Sequence, residues 1–254
     1  MGIPGLWSYL REKLGDILIQ QQAPEQIGID AHGLLYFWKA DPKEFRKFIQ
    51  TLHKVGHTLM FVFDGQAPLE KKKELDQRKK YRHEAKKQSH AIEDYLSSPQ
   101  SKELSFRDLQ FLKGQKLQYE EMAWQITREN REAILEVIKE EGANYTLAEK
   151  EADDVLVELM KKKEISVILT QDMDFLEFPI RRVWIPNFKK YEYLVYDLDI
   201  PIFCAEEDIT IENLQEVAYL CKQKFMTPSE AISNLRYYGS LKTIMMRRNL
   251  KQVD

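Results

Sequence analysis

Apolar residues recur along this chain in two rhythms. Leu6, Leu10 and Leu14 stand at i, i+4 and i+8, which predicts a short helix over Pro4–Leu14. Gln26–Ile29 is a short apolar strand that runs into Asp30. Asp41-Pro42 is a helix-start signal, and Phe45, Phe48, Ile49 and Leu52 make one face of the helix that follows. Thr58–Phe63, β-branched and aromatic, reads as a buried strand ending at Asp64-Gly65. From Pro68 to Leu96 the composition is helical but apolar residues are sparse, so this helix buries little of itself, until Ser97-Ser98-Pro99 breaks it. Residues 105–142 are again mostly helical, opening at a Ser105–Asp108 cap. A helix over Glu149–Lys162 carries Val155, Leu156, Leu159 and Met160, and Ile165–Leu169 is a third buried strand before Gln171-Asp172. Val183–Ile185 and Tyr193–Tyr196 are later strands. Beyond Thr210 the pattern is helical, with Pro228 starting the last clear helix and Gly239 ending it. Strands alternating with helices predict an α/β fold, a parallel sheet with helices on both faces. No internal repeat or low-complexity linker interrupts it. The expectation is one domain over residues 1–254, with a helical insertion at about 68–130 and a helical region at about 210–254.

Composition removes several classes. At 254 residues with 43% hydrophobic positions, the chain can bury a core without disulfides. Its two cysteines, Cys204 and Cys221, cannot build a disulfide framework or a four-cysteine zinc site. No apolar run reaches membrane-spanning length, and MGIPGLWSYLREKLGDILI scatters charge through its apolar residues, unlike a secretory signal. Leu6 stands where a myristoylation signal needs Ser or Thr. The expected setting is intracellular, nuclear or cytoplasmic, with no membrane partner and no secretion. The net charge of −3 conceals a division: residues 71–87 (KKKELDQRKKYRHEAKK) carry a local +6, leaving −9 elsewhere. One segment suits a polyanion, or is a solvated helix face.

The acids decide between those. IGID ends at Asp30, FVFD at Asp64, and VILTQDMD brings Asp172 and Asp174. In open parallel sheets the working crevice lies beyond the carboxyl ends of the strands, so these four acids share one edge. EKEADD adds Glu151, Asp153 and Asp154 in the first turns of the preceding helix, where Glu151 and Asp154 at i and i+3 can share a face. A lone Asp after a strand is usually a cap, and early helix acids usually serve the dipole. Their recurrence at every strand end favours a functional cluster. So many carboxylates cannot all ionise cheaply without a cation. Hard oxygen ligands point to Mg²⁺ or Mn²⁺ rather than zinc. Two such ions about 4 Å apart can activate water and stabilise the leaving oxygen in phosphodiester cleavage.

MGIPGL, IGIDA, VFDG, EADD and TQDMDFL, in this order, resemble the flap endonuclease/XPG-type 5′ nucleases over Met1 to about Phe178. The resemblance implies a PIN-like 5′ nuclease fold with a helical arch insertion. It implies metal-ligand roles for Asp30, Asp64, Glu151, Asp153, Asp172 and Asp174. Asp154 extends the set in the manner of bacterial and phage 5′ nucleases, while Glu149 reads as a helix-start acid. Lys71 and Arg78, seven apart and so on nearly one helix face, match the family's Lys and Arg that grip the scissile phosphate. Lys72, Lys73, Lys79, Lys80 and Arg82 bind backbone non-specifically or are simply solvated. Tyr36 matches an aromatic that stacks on the terminal base, a contact worth roughly 1–3 kcal/mol. The competing assignment is a core tyrosine beside Leu34, Leu35 and Phe37. Gly2 suits an N-terminus placed beside DNA.

The family's helix–two-turn–helix element is reduced here. Lys224 stands where a further metal-site carboxylate is expected, and no Gly-rich hairpin separates Phe225 from Pro228. This costs the second metal site a ligand and weakens duplex binding. No sliding-clamp-binding tail is found, so a compact, monomeric member is expected. Three functions are open: a structure-selective 5′ nuclease of DNA repair and replication, using two Mg²⁺ or Mn²⁺ ions on DNA with a 5′ flap or end; an RNA nuclease of the same chemistry; and a non-catalytic nucleic-acid or protein-binding module.

Overall fold

The central strands are near-continuous apolar runs buried on both faces, and a sheet covered on both sides organises the fold. The computed structural model describes residues 3–189 and 192–248, so Gly2 lies outside the described residues. In chain order the elements are α1 (Leu6–Arg11), β1 (Asp16–Leu18), β2 (Gln26–Asp30), α2 (Ala31–Phe37), α3 (Pro42–Lys54), β3 (Thr58–Phe63), α4 (Lys72–Ser97), α5 (Phe106–Ala123), α6 (Arg128–Glu140), β4 (Asn144–Leu147), α7 (Ala152–Lys161), β5 (Val167–Leu169), β6 (Arg182–Pro186), β7 (Leu194–Asp199), α8 (Ile200–Glu206), α9 (Ile211–Lys222), α10 (Pro228–Tyr238) and α11 (Leu241–Arg248). They divide into two units, Met1–Gly65 with Glu129–Asp254, and Gln66–Arg128.

The first unit is built on a sheet ordered β1-β7-β6-β5-β2-β3-β4 among the described residues. Strands β2 to β6 run parallel to their neighbours. The purely parallel expectation fails at one edge, where β7 pairs antiparallel with both β6 and β1. The link between β6 and β7 is short, and a short link can only reverse the chain, whereas a parallel return needs a longer crossover. Gly28, Val62, Ile168 and Val183 share one face. Of these, Val62, Ile168 and Val183 pack in a core with Leu156 of α7 and with Leu214, Val217 and Leu235 of the C-terminal helices. On the other face Phe61 meets Phe45 of α3, and Trp184 meets the buried His57.

Several boundaries differ from those the sequence predicts. The first helix spans only Leu6–Arg11, because Gly5 ahead of it takes a left-handed conformation, φ 73°. The third buried strand begins at Val167, and α7 begins at Ala152. Glu149 therefore precedes the helix rather than starting it. Elements β1, α2, β4 and α8 were not anticipated. Helix α9 opens with a Thr210–Asn213 capping box, α10 with Thr227–Glu230, and Gly239 at φ 76° closes α10.

Candidate functional site

After β4 the chain crosses to the far side of β2 and enters β5, so the strand order reverses between β2 and β5. That is the switch point where open α/β sheets leave a crevice beyond the strands' carboxyl ends. Asp30 closes β2 there, and its register partner is Val62, so it shares the face of Gly28 that α7 covers. Asp64 follows β3, and Asp172 follows β5.

Two close approaches bring α7 to these acids. A Cβ on Gly28 would sit 2.4 Å from Ile165 Cδ1 and 2.8 Å from Leu156 Cδ2, so glycine here lets these side chains close over β2 without shifting their ends. A Cβ on Gly65 would sit 2.0 Å from the Ala148 carbonyl oxygen, where the backbone of Glu149 and Lys150 passes. Gly65 N–H donates to the Lys150 carbonyl at 2.7 Å. Next to that bond, Ala152 N–H donates to Asp64 Oδ1 at 2.8 Å. Asp64 thus satisfies a donor at the start of α7, whose N-cap Glu151 makes no side-chain cap.

Some of the bonds these acids make are structural. Asp30 caps α2 by accepting from His32 N–H at 3.1 Å, and also accepts from the Thr170 hydroxyl at 3.0 Å. Thr170 Oγ1 in turn accepts from Asp172 N–H at 3.0 Å, and Asp172 caps the 3-10 turn Met173–Glu177 through Asp174 N–H. The caps expected of isolated aspartates are therefore present, yet they do not neutralise the group. Burial, then the charges of Asp64 and Asp172, push the Asp30 carboxyl up to about 6. Burial, then Asp30, Asp172, Asp64 and Glu151, push Asp153 up to about 7. Five of the seven predicted acids thus share one electrostatic site: Asp30, Asp64, Glu151, Asp153 and Asp172.

The other two stand differently. Asp154 is exposed on α7. Asp174 lies 3.2 Å from Lys222 Nζ. Among the described residues, no three His, Cys, Asp or Glu side chains are already drawn into a metal-holding arrangement. The donor set of hard carboxylate oxygens fits a divalent cation.

Sequence reasoning missed three neighbours. His32 Nδ1 lies 3.1 Å from Asp64 Oδ2 but off the line of a hydrogen bond, and that buried nitrogen has no hydrogen-bond partner. Burial lowers the His32 pKa, Asp64 opposes this, and Arg131 of α6 reinforces it. The only signal for His32 was its place two residues after Asp30. Arg131 and Thr170 had none. Tyr36 is 46% exposed while Leu34 and Leu35 are buried, which overturns its assignment as a core tyrosine. Its ring lies 6.1 Å from that of His32.

Within the second unit, α4 packs along α5, burying Ala85 and Ser89 and pairing Lys116 with Glu93 at 3.0 Å. Lys72, Lys73, Arg78, Lys79 and Lys80 are exposed, and Arg82 is half-buried with its Nε lacking a hydrogen-bond partner. Arg78 pairs with Glu74 one turn back at 2.5 Å. Lys71, also exposed, caps α4 from the 3-10 turn Leu69–Lys71 rather than lying inside the helix.

Flap endonuclease 1-2 of Paramecium tetraurelia is 25% identical over 96% of this chain and 67% of its own length. Flap endonuclease 1 of Trypanosoma brucei gambiense is 24% identical over the same shares. The chain is thus similar in sequence to flap endonucleases over nearly its whole length. The fold is shared with the catalytic core of Rad2 in complex with DNA substrate, at a TM-score of 0.66 and 20% identity, over 100% of this chain and 77% of that one. It is shared also with the Holliday junction-resolving enzyme GEN1 in complex with product DNA, Mg²⁺ and Mn²⁺, at a TM-score of 0.58 and 14% identity, over 98% and 54%. No protein-family model matches the chain. The chain spans between about half and two thirds of the length of the curated flap endonucleases it matches. Among the described residues, no helix is long and apolar enough to cross a membrane.

Proposed function

We propose that this chain is a flap endonuclease/XPG-type, divalent-metal-dependent nuclease that hydrolyses DNA phosphodiesters near junctions of single strand and duplex. One observation carries the reading: five acids from four chain segments meet at the sheet's switch point, with burial and then one another's charge pushing Asp30 up to about 6 and Asp153 up to about 7. The DNA in the Rad2 and GEN1 complexes, and the Mg²⁺ and Mn²⁺ of the latter, support it.

Asp30, Asp64, Glu151, Asp153 and Asp172 would hold Mg²⁺ or Mn²⁺, with Asp154 and Asp174 at the margin of the set. Bound there, the metal supplies a lowered water pKa and Lewis-acid stabilisation of the phosphate oxygens. The chain's own residues do the rest. Thr170 fixes the orientation of Asp30, and the Ala152 N–H fixes that of Asp64. Lys71 and Arg78 would hold the scissile phosphate and offset its growing negative charge. Lys72, Lys73, Lys79, Lys80 and Arg82 would follow the backbone without reading bases. Exposed Tyr36 offers a stacking face to an end base, and Gly2 would lie beside the strand. The chain would work as a monomer inside the cell.

The test is cleavage of 5′-flap DNA, labelled at either end, with Mg²⁺, Mn²⁺ or EDTA, beside RNA of equal length. Metal-dependent products near the junction, lost in Asp30→Asn and Asp172→Asn while binding persists, support the proposal. Equal cleavage by those variants refutes it. Preferential cleavage of RNA would redirect it to the RNA nuclease, and undiminished binding without cleavage would leave a non-catalytic module.

A further inference from the structure

The acids at this edge of the sheet fall into two groups with different partners. Asp174 and Glu177, at the two ends of one 3-10 turn, share a single cation from α9: Lys222 Nζ stands 3.2 Å from Asp174 Oδ2 and 2.6 Å from Glu177 Oε1. The delivery is firm. Helix α9 is capped at Thr210, buries Leu214, Val217, Ala218 and Leu220, and ties to the same turn through Gln215 Nε2, which donates to the Glu177 carbonyl at 3.2 Å. Lys222 occupies the last turn, where a cation also meets the negative end of the helix dipole. In contrast, Asp30, Asp64, Glu151, Asp153 and Asp172 lie together, and the nearby imidazole of His32 is biased toward neutrality.

We infer that Lys222 serves as a built-in monovalent cation that takes the place of a second metal ion at Asp174, so that this chain binds one divalent ion, at the five-acid group, rather than two. The inference rests on the nuclease reading and narrows it. A divalent ion at Asp174 would have to displace an ammonium already bridging two carboxylates, and two like charges at such close range repel. Lys224, at the position expected for a further carboxylate, points the same way, since it adds positive charge and no oxygen ligand. It sits at φ 58° just after α9, where its N–H donates to the Cys221 carbonyl and Phe225 N–H to that of Leu220. The turn is closed by backbone, not by a ligand-bearing hairpin.

The measurement is Mn²⁺ stoichiometry by electron paramagnetic resonance and calorimetry on the full chain, independent of activity. Wild type is expected to bind one Mn²⁺. Lys222→Ala is expected to gain a second, weaker ion, because Asp174 and Glu177 are then left facing each other uncompensated. Lys222→Arg, which keeps the charge, is expected to stay at one, and Asp30→Asn to lose at least tenfold in affinity for the first. Two ions of similar affinity in wild type would overturn the inference and leave the nuclease reading standing, as would a Lys222→Ala protein that folds and still binds one. No Mn²⁺ bound by wild type would overturn both.

Discussion

Replacing Asp153 by Asn should stabilise the metal-free chain at neutral pH while damaging its function. A carboxyl held at about 7 instead of 3.8 corresponds to roughly 4 kcal/mol between its charged and neutral forms. Asp153 is half-buried, so water reaches it and screens part of that, and its neighbours can relax once it is neutral. A discount to about 2 kcal/mol is reasonable. Removing a negative charge from the first turn of α7 takes back about 0.5 kcal/mol. The net gain is then about 1–2 kcal/mol. Its pH dependence follows from linkage: the folded carboxyl keeps a proton that the unfolded chain releases between 3.8 and about 7. Wild-type stability from this group is therefore full below the lower value and is lost as pH rises through the upper one. Urea midpoints in EDTA should show Asp153→Asn more stable than wild type at about pH 8, with the gain cut by more than half at about pH 5 and gone below 3.8. Adding Mg²⁺ should reverse the order at the higher pH, since the ion stabilises only a folded chain that binds it well. A variant with no gain at the higher pH, or with the same gain at both, would refute the electrostatic origin of the effect.

Gly65→Ala should cost roughly 3 kcal/mol, because its Cβ meets backbone rather than a movable side chain, and thermal melting would show it. Lys163, at φ 61° after α7, closes the helix in a left-handed conformation; Lys163→Gly should gain about 0.5–1 kcal/mol, measurable as a raised urea midpoint. Lys71→Ala with Arg78→Ala should slow flap cleavage at least tenfold and flatten the plot of log binding constant against log salt by about 0.9 for each phosphate no longer neutralised; an unchanged slope would place both cations off the DNA.

The strand-end acids were legible because one rule, polar residues where an apolar strand stops, needs no knowledge of neighbours. Asp30, Asp64 and Asp172 came from it directly. Strand β4 escaped because NYTL is half-exposed and sits at the sheet edge, so it lacks the apolar run that marked β3. The reversal of β7 escaped because pairing direction depends on the partner, not on the strand's own residues. Side-chain partners were hidden for the same reason. Asp174 reads like Asp172 in the sequence, and only the docking of α9, some forty residues later, sets Lys222 beside it. His32 lay in plain view in IGIDAHG, but the charges that act on it, Asp64 and Arg131 of α6, come from elsewhere in the chain.

The order of strands also governs when the chain can become active. Asp30 is made early, and its strand must wait for β5, nearly 140 residues further along, before the edge beside it exists. The five acids therefore meet only after Asp172 has been synthesised and β5 has paired with β2 across that separation, a slow class of pairing to form. A chain that ends before Asp172 holds some of the acids but not the group. Under the nuclease reading proposed for this chain, such a chain lacks one acid of the proposed metal group.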